Sequence, residues 1–215
     1  MIDIALFGAG GFGREIACMI NKINSWNGPT WNLIGFFDDG KKIGEEVSHF
    51  GRILGGINEL NNWNKPLNIA LCLGNPETLS LVRNRIINPL ISFPNLIDPN
   101  FECNDPETFF IGEGNIIQGG CAETTNVTIG NFNIFNGDIT VGHDVVIGDY
   151  NVIMPGCKIS GEVIIGDKNR LGAYCFIKQQ LKIGNNITLS PLSALLTKPK
   201  DGHTYIGNPA KLFKF

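Results

Sequence analysis

Three histidines occur in the 215-residue chain, His49, His143 and His203. One stands in a setting suited to proton transfer, Val141-Gly142-His143-Asp144-Val145-Val146-Ile147-Gly148-Asp149. An imidazole titrates near pH 6.5 in its ordinary state, so it accepts a proton at neutral pH. An acidic neighbour can orient such a ring and stabilise its protonated form. Asp144 is the first candidate for that task and Asp149 the second. Adjacency could also turn the Asp144 side chain away from the ring, and either aspartate could simply cap turn amides. The six cysteines have no C-x-x-C spacing, and Cys121, Cys157 and Cys175 share one phase of an eighteen-residue period. They read as small buried thiols in a reducing compartment, with no metal site and no thiol nucleophile.

A second motif lies near the N-terminus. Gly8-Ala9-Gly10-Gly11-Phe12-Gly13 follows the apolar run Ile2–Phe7 and precedes a helical pattern over about 12–24. Such a strand-loop-helix directs backbone N–H groups and a helix N-terminus at a phosphate. A second strand, Trp31–Phe37, ends in Asp38-Asp39, placed to meet a base or ribose; a polar strand end is the plainer alternative. Residues 40–56 read as loop, 67–73 as a strand, 76–87 as a helix with Pro76 in its first turn, and 92–97 as a further strand. This alternation predicts a small parallel α/β domain over residues 1–100. It holds about half the sheet a dinucleotide needs, so it is expected to bind one nucleotide.

The elements that must position His143 follow a different period. Ile-Gly recurs at 111, 129, 147, 165 and 183, every eighteen residues. Within each interval every sixth position is Ile, Leu, Val or Phe, and only Glu123 breaks the register. A short fixed period marks a stacked solenoid. Six residues suit a strand plus a turn, three to a triangular coil, and do not suit a helix. The solenoid is expected over 101–196, with a C-terminal loop and tail over 197–215. Val127, Val145, Val163 and Leu181 stack on one side of its interior, and Asn115, Asn133, Asn151 and Asn169 form a structural ladder on another. By phase, His143 faces outward at a coil edge. One coil on stands Gly161, where a ligand could approach the backbone closely, unless the turn alone requires the glycine.

Net charge is −3 and only 17% of residues are charged, which argues against a nucleic-acid or anionic-membrane surface. No apolar run reaches transmembrane length and Met1-Ile2-Asp3 opens no signal peptide, so a cytoplasmic protein is expected.

The hexads resemble the left-handed parallel β-helix of hexapeptide-repeat acyltransferases. The loop 8–13 with Glu15, Gly35-Phe36-Phe37-Asp38-Asp39 and Gly74-Asn75 resemble the sugar O/N-acetyltransferase branch, of the sialic-acid and bacillosamine acetyltransferase type. The resemblance implies acetyl-CoA as co-substrate, lying in a groove between solenoids of a homotrimer. It implies His143 as general base with Asp144, the Gly161 N–H on the thioester oxygen, and Asn136 lining the acceptor site. Lys211, in the tail Tyr205-Ile206-Gly207-Asn208-Pro209-Ala210-Lys211, would meet a CoA phosphate. Gly10, Gly11, Phe12, Asp38 and Asp39 would hold the nucleotide of a nucleotide-linked amino sugar. Two positions depart from the pattern: Val152 stands where many relatives have a second histidine, and Asp98 where they often have a histidine at the domain junction. The implied activity is N-acetylation of a nucleotide-linked amino sugar. O-acetylation of a sialic-acid-type sugar and a non-catalytic nucleotide-binding scaffold are the alternatives.

Overall fold

The structure is a computed structural model that describes residues 1–213. The chain divides into two compact units, Met1–Pro99 and Asn100–Phe215. The first contains β1 (Ile2–Phe7), α1 (Gly11–Asn27), β2 (Trp31–Phe37), β3 (Ile53–Gly55), α2 (Ile57–Asn61), β4 (Leu67–Leu71), α3 (Pro76–Arg85) and β5 (Ile91–Ser92). Its parallel sheet has the order β3-β2-β1-β4-β5. β1 is central, and Ile4, Ala5 and Leu6 are fully buried on both of its faces. This is why the strand reads as a continuous apolar run and not an alternating one. Helix α1 buries Ile16, Ala17, Ile20 and Ile23, one stripe at helical spacing. Helix α3 starts at Asn75, whose side chain accepts the Thr78 N–H at 2.9 Å, with Pro76 in the first turn.

Two segments differ from the sequence expectation. Residues 40–56, read as loop, contain β3. Three residues are too few to show a period, and this strand exists through pairing with β2, Phe36 against Ile53. The expected strand over 92–97 is two pieces, Ile91–Ser92 and Leu96–Ile97. Pro94 lies between them and has no N–H for a ladder. Next to this break Asp98, only 6% exposed, takes the Lys22 ammonium on both oxygens, at 2.6 and 2.9 Å.

The second unit is a parallel β-solenoid with three faces. Thr128–Ile129, Ile134–Phe135 and Thr140–Val141 make one coil, and each pairs in parallel with the strand eighteen residues on. Ile129, Phe135 and Val141 point inward and are buried, as the hexad period predicts. The Ile-Gly pairs have a steric origin. A Cβ on Gly112, Gly130, Gly148 or Gly166 would collide with the side-chain oxygen of Asn131, Asp149, Asp167 or Asn185 on the next coil. Those oxygens accept backbone N–H groups of the coil before, as in Asp149 Oδ1 from Asn131 N at 2.7 Å. Asp149 is therefore a structural residue at a different corner from His143.

The buried asparagine ladder forms as expected. The Oδ1 of Asn115, Asn133 and Asn151 each accepts both the backbone N–H and the side-chain NH2 of the next asparagine, at 2.8–3.1 Å. Ile187 N–H caps the series on Asn169 at 2.9 Å. These amides are fully buried and fully used, as interior polar groups must be.

Candidate active site

His143 and Asp144 occupy the corner after Thr140–Val141, and both side chains are about half exposed, 48% each. His143 Nδ1 lies 2.7 Å from Asp144 Oδ2. The adjacent carboxylate does not point away. Asp144 has a left-handed backbone, φ 57°, a conformation aspartate tolerates, and from it the carboxylate reaches the ring. A carboxylate can only accept, so Nδ1 carries the proton and Nε2 presents a lone pair. Asn126, one coil earlier, donates its side-chain NH2 to the other carboxylate oxygen at 2.6 Å. That bond, then the one from His143, holds the Asp144 carboxyl below the usual carboxylate range.

Gly161 lies one coil on, directly against the imidazole. A Cβ there would fall 2.6 Å from His143 Cε1, and closer still to Nε2. The ring therefore packs on bare backbone. The neighbouring amide, Glu162 N–H, donates to the His143 carbonyl at 2.8 Å, while the Gly161 N–H has no hydrogen bond among the described residues. One coil further, Gln179 and Gln180 donate to the Glu162 carboxylate at 3.1–3.2 Å. The corner is thus a polar ledge with a base and an unused N–H donor side by side.

The other expected residues fall elsewhere. Asn136 sits at the corner after Ile134–Phe135, not with His143 in this chain, and its NH2 lies 3.3 Å from the Ile153 carbonyl. Val152 is fully buried in a strand, so no side-chain donor replaces a histidine at that place. Lys211 is exposed on the short strand Lys211–Leu212. All six cysteines are free. Cys157 and Cys175 are buried and donate to the carbonyls of Gly172 and Ser190, at 3.0 and 3.1 Å. Burial pushes the Cys72 thiol up, away from the nucleophilic thiolate. No group of three or more His, Cys, Asp or Glu among the described residues could hold a metal ion, and no helix there is long and apolar enough to cross a membrane.

In the first unit, the glycine loop, Asp38-Asp39 and Gly74-Asn75 follow β1, β2 and β4, at the carboxyl ends of adjacent strands. Ligands of open parallel sheets bind at that edge, beside the central strand where the order reverses. The glycines divide by role. A Cβ on Gly8 (φ 107°) would strike the Cys72 carbonyl, and one on Gly13 would strike the Gly8 carbonyl. Gly10 and Gly11 would meet nothing within 4 Å, so packing does not require them. Gly10 caps α1 without a side chain, leaving the first-turn amides open, and Phe12 is half-buried beside them. Both aspartates have local partners. Asp38 accepts the Ala9 and Gly40 N–H groups at 2.9 Å, fixing the glycine loop. Asp39 accepts Ile57 N–H at 2.7 Å and lies 3.4 Å from Arg85. Together with Lys41 and Glu59 they line a cleft of about 260 Å³.

The chain's relationships fit this division. Residues 3–89 match the PglD N-terminal domain, and residues 144–179 match the bacterial transferase hexapeptide family of six repeats. The two matches fall on separate parts of the chain, and with the likeness of the whole fold to an acetyltransferase domain they make it an acyltransferase, with a small α/β domain ahead of a parallel β-solenoid consistent with a left-handed β-helix. It is similar along its whole length to the acetyltransferase domain of PglB from Neisseria gonorrhoeae FA1090, at 25% identity, covering 99% of this chain and 100% of that one, with a TM-score of 0.88. The same domain is known in complex with acetyl coenzyme A. WeeI from Acinetobacter baumannii AYE is also 25% identical, over 99% and 100% of the two chains, with a TM-score of 0.82. PerB from Caulobacter crescentus, in complex with CoA and GDP-perosamine, shares the fold at 19% identity, over 99% and 97%, with a TM-score of 0.81. None of the curated proteins matches the chain.

Sequence reasoning missed Asn126 and Glu162. The signal was present: both lie eighteen residues from Asp144, in the same corner column.

Proposed function

We propose that the protein is an acetyl-CoA-dependent N-acetyltransferase acting on a nucleotide-linked amino sugar, with His143 as general base. The observation that carries this reading is the His143–Asp144 pair set against Gly161, with the base lone pair beside an unused backbone N–H. The open glycines of the first unit support a nucleotide-bearing acceptor. The likeness to PglB, whose acetyltransferase domain binds acetyl coenzyme A, supports the donor. The reaction then follows. The sugar amine attacks the thioester carbonyl carbon, and the C–N bond forms as His143 Nε2 takes the amine proton. The Gly161 N–H stabilises the tetrahedral oxyanion. The oxyanion collapses, the C–S bond breaks, and the imidazolium returns its proton to the CoA thiolate. Asp144 keeps the ring in the reactive tautomer and offsets the imidazolium charge. No covalent enzyme intermediate is needed.

In this reading Gly10, Gly11 and Phe12 face the nucleotide phosphates, Asp38 and Asp39 the base or ribose, Asn136 the acceptor, and Lys211 a CoA phosphate. Asn136 and His143 stand at different corners, so their meeting in one site requires neighbouring solenoids, as in a homotrimer. The enzyme works in the cytoplasm and makes a building block for surface glycans.

The test is thiol release from acetyl-CoA with UDP-, dTDP- and GDP-linked amino sugars and with free sialic acid, for wild type and His143→Ala. Turnover with one amino sugar, lost in the variant, is expected. Turnover with sialic acid alone would make the enzyme an O-acetyltransferase. Release from none by folded protein would overturn the reading.

A further inference from the structure

The solenoid departs from its own period at its start. Ala122 pairs with Thr140, eighteen residues on, but with Glu102, twenty residues back. The first coil is therefore two residues longer than the eighteen-residue coils that follow it. The surplus lies between Cys103 and Phe110, at the corner directly before Thr125 and Asn126. Inserts at solenoid corners usually loop outward into solvent. This one is bonded into the corner at several points. Asp105 Oδ2 accepts the hydroxyl protons of Thr108 and Thr125, at 2.6 and 2.5 Å. Thr108 Oγ1, its proton so committed, accepts the backbone N–H of Asn126 at 2.8 Å. Asn126 in turn gives its NH2 to Asp144 at 2.6 Å, and Asp144 holds His143.

The one residue that breaks the hexad register belongs to the same arrangement. Glu123 occupies an inward, apolar position and is only 1% exposed. Its Oε1 accepts the Asp105 N–H at 3.3 Å, and its carbonyl accepts the Asn104 NH2 at 2.6 Å. A carboxylate inside the solenoid is unfavourable unless it does such bonding. The insert is thus braced from within by Glu123 and carries Asn126 on its outer side.

We infer that Asn126 is a positioning residue for His143, acting through Asp144, and that the lengthened first-coil corner is its mount. The inference rests on His143 being the base. A carboxylate held on one oxygen alone swings about its Cβ–Cγ bond. Asn126 occupies the second oxygen with a donor, which fixes the plane in which Asp144 Oδ2 meets Nδ1. The direction of the Asn126 bond also decides what an amide at position 144 can do. In Asp144→Asn, the Asn126 NH2 claims the new carbonyl oxygen. The new NH2 then faces Nδ1 and forces the proton to Nε2, the wrong tautomer for a base. Reversing the first bond reverses the second. In Asn126→Asp/Asp144→Asn, the carboxylate at 126 accepts the NH2 at 144, and the carbonyl at 144 again accepts from Nδ1–H.

The experiment measures kcat, KM for acetyl-CoA and thermal midpoint for Asn126→Gly, Asp144→Asn and the double variant. Glycine suits the left-handed backbone at 126 (φ 53°), so Asn126→Gly removes the donor without strain. Expected are a roughly tenfold fall in kcat for Asn126→Gly with KM within twofold of wild type, and a larger fall for Asp144→Asn. The double variant is expected to recover at least tenfold over Asp144→Asn alone. A double variant no more active than Asp144→Asn, or an Asn126→Gly enzyme with wild-type kcat and only a lower melting point, would reduce Asn126 to a corner residue and overturn the inference. His143→Ala separates the two readings. If it retains turnover, the base assignment fails; if it is inactive while the Asn126 variants behave as wild type, only the positioning inference fails.

Discussion

The imidazole of His143 fills the space that a side chain at Gly161 would need. Residue 161 therefore has two reasons to be glycine, the ring above it and the N–H it leaves uncovered. Gly161→Ala should separate site from fold. Its backbone is not left-handed, so alanine is conformationally acceptable, and the added methyl must displace an exposed ring. The expected outcome is a kcat loss of about 100-fold or more with a stability change of about 1–2 kcal/mol or less. Steady-state kinetics and chemical denaturation on the same preparation check it. A fully active Gly161→Ala enzyme would remove the ring-on-backbone geometry from the mechanism.

The Asp144 carboxyl is held below its ordinary range, by Asn126 first and His143 second. The folded chain therefore binds this proton more weakly than the unfolded chain. The stabilisation is complete above the unfolded value of about 3.9 and is lost as pH falls through the lower folded value. The melting points of wild type and Asp144→Asn should converge as pH falls below about 4. A gap that persists undiminished well below about pH 4 would contradict the depressed carboxyl.

Much of this molecule is legible in its sequence because a solenoid repeats its constraints. The eighteen-residue period put His143 outward, placed Gly161 one coil away and aligned the buried asparagines, since each coil copies the last in register. What was lost lies where the copying stops. β3 consists of Ile53, Leu54 and Gly55, too short to carry a pattern, and it depends on β2 for its existence. The lengthened first coil has no hexad to announce it. Glu123 was visible only as an exception, and its reason, the Asp105 N–H, lies on a segment whose path the period does not dictate. The direction of Asp144 was open because sequence adjacency does not fix φ, and a left-handed corner decides it. Asp98 shows the same limit. In the sequence it showed only as a departure from the family pattern, and its partner Lys22 is 76 residues away.

The asparagine ladder makes a prediction about stability without chemistry. Asn151 accepts both the N–H and the NH2 of Asn169, and donates to Asn133 and to the Gly166 carbonyl. Asn151→Ala would strand these groups in a dry interior. Each unsatisfied buried group costs about 1–3 kcal/mol, so a loss of roughly 3–5 kcal/mol is expected. The residue is remote in role from the His143 corner, so kcat of the protein that remains folded should stay within about twofold. Denaturant titration and active-site-normalised kinetics measure the two effects separately.

The glycine loop offers the sharpest contrast, because two kinds of glycine stand within six residues. Gly13 is needed for packing: a Cβ there runs into the Gly8 carbonyl, where β1 turns into α1. Gly11 faces open space at the first position of the helix, where a side chain costs little. Gly13→Ala should therefore lower stability by about 2 kcal/mol or more, through forced movement of backbone against backbone. Gly11→Val should leave the melting point nearly unchanged, since surface substitutions of this kind fall within about 0.5 kcal/mol. If a nucleotide phosphate approaches this loop, the valine obstructs it, and KM for the nucleotide-linked sugar should rise at least tenfold with KM for acetyl-CoA unaffected. Isothermal titration with the free nucleoside diphosphate gives the same comparison without turnover. Equal binding by wild type and Gly11→Val would move the nucleotide away from the loop, and the open glycines would then have no ligand to account for them.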